Sequence, residues 1–500
     1  MTRNLICFVF VVPLFLSLFT GCFAQTGAKV TEPSVPLKIM LPGQKSPDFD
    51  LVIREAENRM KAESFPVKLE VEFVPWQDFG SKSQVALASG KEVDLIFDAP
   101  WLHLGEMIAD GYYEPLDSLL DKYGATIKAT RSKEMWEANR FGGKIIAIPL
   151  GVSHIMDHSY FVRKDIREKW HVPPIRTYDD LIRFAYLVKE REPGISPLIA
   201  AGSTSQQLYS WATFRHYDDF QTQIRPTQAL GNSLMLYYAN NDGVVHNLFQ
   251  EKDSVIRQWV KEARKLYLDG IMDPNVLGVK DFQEPGYHGK AAIFPAGSFV
   301  VGDNAKEALQ SYVPQGEFES VTFFHASPGE NISNFAQWNF IAVPAASKHK
   351  AEAIRFLDWA NRKENYDLLA YGIEGKHWTA LGTDKYTVKS SQYIQPAFVW
   401  IWNPADERMT QTMDDPLEHF IRKADNFKPD ILTGFQFDAE PVRNEIKLYT
   451  RLEEKYYPPL FNGVVDPDTA WKRFEDEAGS LLLAIQRELQ KQIQSFLKSK

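Results

Sequence analysis

The chain has 500 residues, with 56 Lys and Arg against 65 Asp and Glu, a net charge of −9 and 44% hydrophobic residues. Single cores stop growing near ~250–300 residues, so a globular composition of this length implies at least two. The acidic balance, with no Lys/Arg block, argues against nucleic acid. No apolar run after residue 25 reaches the ~20 residues that a spanning helix needs.

At the N-terminus, Arg3 precedes an apolar run from Leu5 to Phe19 and then Thr20-Gly21-Cys22. Basic, apolar and small-residue regions in that order read as a secretory signal over 1–21. Small residues before a cysteine resemble a bacterial lipobox, in which Cys22 is lipidated and becomes the first mature residue. Cys22-Phe23-Ala24 could instead serve an ordinary signal peptidase. Cys7 lies inside the signal, so the mature chain keeps at most one thiol and has no internal disulfide. Residues 22–36 read as a polar, Pro-containing tether.

The pattern then predicts a strand over Leu37–Leu41, a helix over Asp48–Ser64, a strictly alternating strand over Val67–Phe73, a helix over Ser81–Ala88 and a strand over Val93–Phe97. Such alternation marks an open, mostly parallel sheet, and ligands sit beyond the carboxyl ends of its strands. Gln44, Asp98 and Trp101 follow strand ends and are candidates by position. The stretch Gly142–Tyr160 reads as a hinge, with a strand over Ile145–Ile148 that leaves its sheet at Pro149.

A second α/β pattern follows. Thr177 with Asp180 predicts a capping box for a helix carrying Leu181, Phe184, Ala185 and Val188. Ser254–Leu268 is amphipathic, Gly289–Phe294 and Phe340–Val343 read as strands, and Ser347 caps a helix. Pro441–Tyr457 and Thr469–Leu497 are long, charged and helical. The expected organisation is α/β and two-lobed. The first lobe spans 37–150 with a return segment near 289–335, and the second spans 151–288 with 336–440. A C-terminal helical appendage, 441–500, has a solvated outer face.

Catalytic motifs are absent: there is no G-x-S-x-G, no H-E-x-x-H, no P-loop and no G-x-G-x-x-G. His154 and His158 stand four apart in a strand-and-loop pattern, where helical metal spacing does not apply. Asp218-Asp219 and Asp414-Asp415 read as solvated turns, although a glycosidase pair from distant segments is compatible with the sequence. Aromatics are plentiful: 12 Trp, 20 Tyr and 33 Phe. A Trp face covers the C–H face of a sugar, and neighbouring Asp, Asn and Gln meet its hydroxyls. Trp359 lies on an amphipathic helix and belongs to the core. Core packing is favoured for Trp76, Trp211, Trp338, Trp378 and Trp400, while Trp101 and Trp402 are balanced between core and ligand.

The segments LASGKEVDLIFDAPW (87–101), YYEPLDSLLDKYG (112–124), GGKIIAIP (142–149), YFVRKDI (160–166), YGIEGKHW (371–378), GFQFDAEPVRNE (434–445) and GVVDPD (463–468) carry a resemblance. The chain resembles bacterial extracellular solute-binding proteins of ABC importers, in the carbohydrate-leaning group, and specifically the LipO-type lipoproteins. The resemblance implies a type II periplasmic binding-protein fold, a ligand gripped between lobes that close about a hinge, and a membrane permease as partner. Some relatives carry a calcium loop where this chain has Glu190–Gly194, which lacks the ligand set, so no metal is expected. Where relatives have Gly-Asn, this chain has Trp402-Asn403.

The expected contacts are Asp98 and Trp101 from the first lobe, then Trp338, Glu374, Trp402 and Asn403, with Gln44, Trp211 and Phe299 behind them. No cofactor is implied, and the chain is expected to be a monomer. The rivals are a secreted carbohydrate-active enzyme and a peptide-binding or sensor version of the same fold.

Overall fold

The computed structural model describes residues 34–151, 159–200, 202, 210–215, 223–279, 282–296, 301, 303–323, 329–410 and 423–500. The first passage runs β1 (Val35–Pro42), helix α1 (Phe49–Ala62), β2 (Val67–Val74), helix α2 (Trp76–Ala88), β3 (Leu95–Asp98), several short helices and β4 (Ala147–Leu150). The alternating stretch does form β2, with Val67 and Leu69 buried and Lys68 and Glu70 exposed. Helix α2 begins at Trp76 rather than Ser81. Pro75 stands just before it at φ −51°, and its ring and missing N–H suit a helix start.

The second passage holds β5 (Ser159–Arg163), β6 (Ser196–Leu198), β7 (Arg225–Pro226), β8 (Leu236–Tyr238), β9 (His246–Asn247), β10 (Ala291–Ala296) and β11 (Phe318–Val321). Its helix Tyr178–Arg191 opens with the expected capping box: Thr177 Oγ1 accepts from the Asp180 N–H, and Asp180 accepts from the Thr177 N–H at 2.9 Å. The rest holds β12 (Asn331–Ser333), β13 (Asn339–Ala342), β14 (Trp378–Leu381), β15 (Lys385–Val388), β16 (Met409–Thr410) and β17 (Phe427–Pro429). Ser347 does not cap a helix directly. It accepts from the His349 N–H and donates to Asp94, one turn ahead of the helix Lys350–Ala360.

Two sheets carry the architecture, in the orders β2-β1-β3-β13-β4 and β11-β5-β10-β6. In the first, β1, β2 and β3 are parallel, and β13 enters antiparallel between β3 and β4 with Phe340 opposite both Asp98 and Pro149. The return segments are therefore reversed from the sequence reading. Strands β10 and β11, expected near the first lobe, complete the second sheet, and β13, expected in the second, sits inside the first. A strand buried on both faces, as Ala291–Ala296 is, carries nothing in its own pattern to say which sheet it joins. Pro149 does not end β4 either. The strand continues to Leu150, because at a sheet edge the missing N–H leaves no central ladder broken.

The cores divide the same way. One gathers side chains from 37–150, 335–402 and Phe427, a second gathers 160–323 with 432–493, and a smaller third packs Phe161, Phe294, Leu309 and Phe318 on the second sheet. Among the described residues the chain thus changes between the first two cores three times, and β12 and β17, at two of these changes, pair with each other in parallel.

The C-terminal helices, Arg443–Phe461 and Pro467–Ser499, are more than an appendage. The second buries Trp471, Phe474, Ala478, Leu482, Ile485, Leu489 and Ile493 in the second core, a stripe at spacings of three and four. Its charged residues cover the opposite, solvated face, as the sequence suggested. Gln486 and Gln490 donate to the Val245 and Gly243 carbonyls at 2.8 and 3.0 Å, fastening the helix to the β8–β9 turn. On the buried face of the preceding helix, Glu453 is met by the hydroxyls of Ser233 and Tyr449. No cation offsets its desolvation there, and burial pushes its carboxyl up to about 8.

Two outcomes follow from this packing. Because Glu453 keeps its proton when folded but loses it near 4.5 when unfolded, stability should fall as pH rises from 4.5 to about 8, by roughly 3–5 kcal/mol. Urea unfolding of Glu453→Gln between pH 5 and 9 should lack that fall. Phe474→Ala should cost about 3–5 kcal/mol, read as a lowered urea midpoint, if the terminal helix belongs to the core; a loss below ~1 kcal/mol would restore the appendage reading.

Candidate functional site

Strand direction decides which loops meet. Strands β1, β2 and β3 end at one edge of the first sheet; β13, running against them, begins there, and β4 ends there. Gln44, Trp76, Trp101, Trp338 and Gly151 are therefore delivered to a single edge. Of the 12 Trp in the chain, three are strongly exposed: Trp76 at 45%, Trp101 at 41% and Trp338 at 42%. All three stand on this edge. Isolated exposed aromatics need no explanation, but the confinement of all three to one sheet edge does.

Trp76 and Trp101 form a bent ledge, with ring centroids 6.1 Å apart and planes at 34°. Both rest on buried Phe97 of β3, Trp76 edge-on at 5.7 Å and Trp101 at 6.3 Å. Beside them Gly43 turns at φ +111°, and a side chain there would stand 3.9 Å from Trp76 Nε1, so the β1 loop passes along the indole and leaves Gln44 exposed next to it. Sequence reasoning leaned toward core for Trp76 and Trp338. The usable signal was position, since Trp76 follows Pro75 directly beyond β2 and Trp338 directly precedes β13.

Asp98 lies under this ledge rather than on it. It is fully buried, and its oxygens accept from the Ala99 N–H at 2.7 Å, the Tyr113 hydroxyl at 2.5 Å and His103 Nδ1 at 3.0 Å. Burial, with the Asp98 charge beside it, pushes the Tyr113 hydroxyl far up, so it remains a donor. On its other side His103 Nε2 lies 2.9 Å from Ser83 Oγ. Ser83, His103 and Asp98 thus repeat the order of a nucleophile, base and acid. Yet Ser83 has no exposed surface, and its hydroxyl is committed to the Phe79 carbonyl at 2.6 Å inside α2.

The Trp402-Asn403 pair is also removed from the surface. Trp402 is packed in the first core, with Nε1 donating to Glu407 at 3.1 Å, and fully buried Asn403 donates to Asn361 O at 2.7 Å and Asp406 at 3.0 Å. The Trp402 carbonyl accepts from Arg131, whose guanidinium also reaches Pro149 O, Ile127 O, Thr130 and Asn361. That guanidinium meets no carboxylate, and burial pulls it down to about 9, still charged at neutral pH. Trp211 belongs to the second core, between Tyr160 at 5.8 Å and Tyr178 at 6.0 Å.

Glu374 is exposed, in the turn whose Lys376 and His377 hold Asp48 at 2.7 and 3.0 Å. In the Glu190–Gly194 turn, Glu192 takes the Lys169 ammonium and the Trp170 indole N–H, and Glu190 lies 3.6 Å from Arg191. Such neutralised donors do not fit a calcium cage. Phe299, His154, His158 and Cys22 lie outside the described residues.

In the second sheet β6, β10 and β11 end, and β5 begins, at one edge. The chain leaves the Trp-bearing edge at Leu150 and enters this one at Ser159; it leaves this one at Val321 and returns to the first at Asn339. The two connections therefore run from edge to edge, and no helix among the described residues is long and apolar enough to cross a membrane.

Comparison with known proteins agrees with this topology. A carbohydrate ABC transporter substrate-binding protein of Streptococcus pneumoniae is 22% identical, covering 93% of this chain and 91% of that protein. Among solved structures, the N-glycan transport solute-binding protein NgtS of S. pneumoniae superposes with a TM-score of 0.73 at 19% identity, over 93% of this chain and 99% of the other. An HMO-binding solute-binding protein from Bifidobacterium longum infantis gives 0.66 at 16%, over 92% and 99%. These likenesses give the fold as the two-lobed type II periplasmic binding-protein kind. Residues 431–498 match a domain of unknown function, DUF3502. Residues 61–367, more than half the chain, match the bacterial extracellular solute-binding protein family, and the chain belongs to it.

Proposed function

We propose that this protein captures an oligosaccharide between its lobes and passes it to the permease of an ABC importer, working as a monomer tethered through a lipid on Cys22. The observation that carries the reading is the gathering of Trp76, Trp101 and Trp338, alone among twelve tryptophans in their exposure, on the edge where the chain crosses between lobes. Indole faces cover the C–H faces of sugar rings, and the bend of the ledge suits two successive residues of a glycan better than one flat ring. Gln44, exposed beside it, supplies an amide for hydroxyls. The relatives support the same class: NgtS of S. pneumoniae has been solved with Man1GlcNAc and with Man5GlcNAc. Capture proceeds by lobe closure, the ligand favouring a closed state already present in the free protein.

A binding role without catalysis accords with the site. Asp98, beneath the ledge, is enclosed and fully engaged, so it is not available to attack or protonate a glycosidic bond.

Titration calorimetry of the mature chain against high-mannose glycans, milk-type oligosaccharides, fructo-oligosaccharides and peptides should find micromolar or tighter binding to a glycan, with compaction in small-angle scattering. Binding of peptides only, or hydrolysis of the glycan, would sink the proposal. Trp101→Ala and Trp76→Ala should weaken the glycan about 10–100-fold, or ~1.4–2.7 kcal/mol, with little change in melting temperature. Trp402→Ala should do the reverse, costing about 3–5 kcal/mol of stability as a core Trp.

A further inference from the structure

The loop 99–104, which carries Trp101, is attached to helix α2, which begins with Trp76, at two points. Leu102 packs over Gly80, where an added side-chain carbon would meet Leu102 Cδ2 at 3.6 Å. The second attachment is His103, whose side chain is almost wholly enclosed, with 8% exposed. Its Nδ1 lies 3.0 Å from Asp98 Oδ2, and its Nε2 lies 2.9 Å from Ser83 Oγ and 3.1 Å from the Gly80 carbonyl. A carboxylate oxygen and a backbone carbonyl can only accept, so both ring nitrogens face acceptors. A neutral imidazole has one N–H and one lone pair, and either tautomer sets the lone pair against one of these oxygens. The neutral Nδ1–H ring is met at Nε2 only if the Ser83 hydroxyl turns away from the Phe79 carbonyl at 2.6 Å, whereas the doubly protonated ring satisfies both sides and leaves Ser83 donating to Phe79.

We infer that His103, as imidazolium, is the positioning residue of the aromatic ledge, clamping the Trp101 loop to α2 so that the two indoles keep their mutual angle. The charges around it agree. Burial of the ring opposes its charge, but Asp98, the Gly80 carbonyl and Glu106 outweigh that and raise its pKa. Tyr113 faces Asp98 from behind as a neutral donor, and on α2 the nearby Asp78 and Lys82 pair with each other at 3.1 Å. A raised histidine pKa stabilises the clamped loop at low pH, and the contribution is lost as pH rises through the folded-state value, above 6.5. The ledge then loosens under alkaline conditions. Its consequence for affinity rests on the glycan-binding reading, whereas the clamp itself does not.

The test is read first without ligand. Coupled indoles 6.1 Å apart produce an exciton couplet in circular dichroism, isolated as the spectrum of the wild-type chain minus that of Trp101→Phe. Between pH 6 and 9 this couplet should fade with the midpoint at which ¹⁵N-histidine NMR shows His103 losing its proton, and in His103→Gln it should be weak at every pH. A couplet constant across that range, or intact in His103→Gln, overturns the inference. Should His103→Gln fail to fold, Asp98→Asn lowers the midpoint by removing the charge partner; an unmoved midpoint overturns it equally. With a bound glycan, wild-type affinity falls about tenfold toward pH 9 while His103→Gln is already weak and flat. If the couplet behaves as stated and no glycan binds, the clamp stands and the glycan reading falls.

Discussion

The antiparallel entry of β13 between β3 and β4 is the contact on which the rest depends. It brings Phe340 opposite both Asp98 and Pro149 and sets Ile341 between Phe97 and Ile148, an apolar row through the first core. It also sets Trp338 at the edge where Trp76 and Trp101 already stand. Everything from β5 to β12 is looped out between β4 and β13 as a consequence. The entropy of closing so long a loop grows only slowly with length, so an inserted lobe costs little more than a short connection would. What it does cost is speed, because a pairing this distant in sequence waits until both lobes have begun to form.

Much of the local structure was legible in the sequence because its causes are local. The alternation of Val67–Phe73, the Thr177–Asp180 box and the amphipathic helices each arise from neighbours a few residues apart. Which sheet receives a strand is decided elsewhere in the chain. Phe340–Ala342 and Ala291–Phe294 are equally apolar and equally buried, and only their partners distinguish them. The site shows the same division. Trp101 and Trp402 both precede or follow loop-forming residues, yet one projects from a strand end and the other is drawn inward by Glu407 and by Arg131 on its carbonyl. Asp98 follows a strand end as a ligand contact would, but the histidine and tyrosine that enclose it are 5 and 15 residues on.

The terminal segment clarifies what a region matching a domain of unknown function contributes. Residues 431–498 contain no sheet of their own, and their buried stripe is completed by Val260, Leu248 and Phe249 of the second passage. A helix of 33 residues with one apolar stripe needs a partner for that face, and the second core is the partner. The segment is thus the last layer of a lobe rather than a unit with separate stability. Glu453 lies at that seam, an acid kept neutral among hydroxyls that an alkyl side chain would leave without an acceptor.

A lobe that moves as one body must draw its stiffness from within and spend little across the hinge. In the first lobe Arg131 joins the end of β4, the helix Lys350–Ala360 and the Trp402 loop through neutral acceptors alone. Each of those bonds is charge-assisted, and none leads to the second lobe. Among the described residues the crossing segments carry the short β12–β17 pair, the Arg225–Asp430 ion pair at 3.0 Å, the Asn241 amide between Pro429 O and the Ile431 N–H, and the Gln436 amide meeting Arg140 O at 2.5 Å and the Gly142 N–H at 3.4 Å. A short backbone pairing and a few side-chain contacts resist bending far less than a packed core does. The distribution of polar contacts therefore separates two rigid bodies from a compliant seam, and it sets the exposed tryptophans on the rigid side, where their spacing survives any movement of the other lobe.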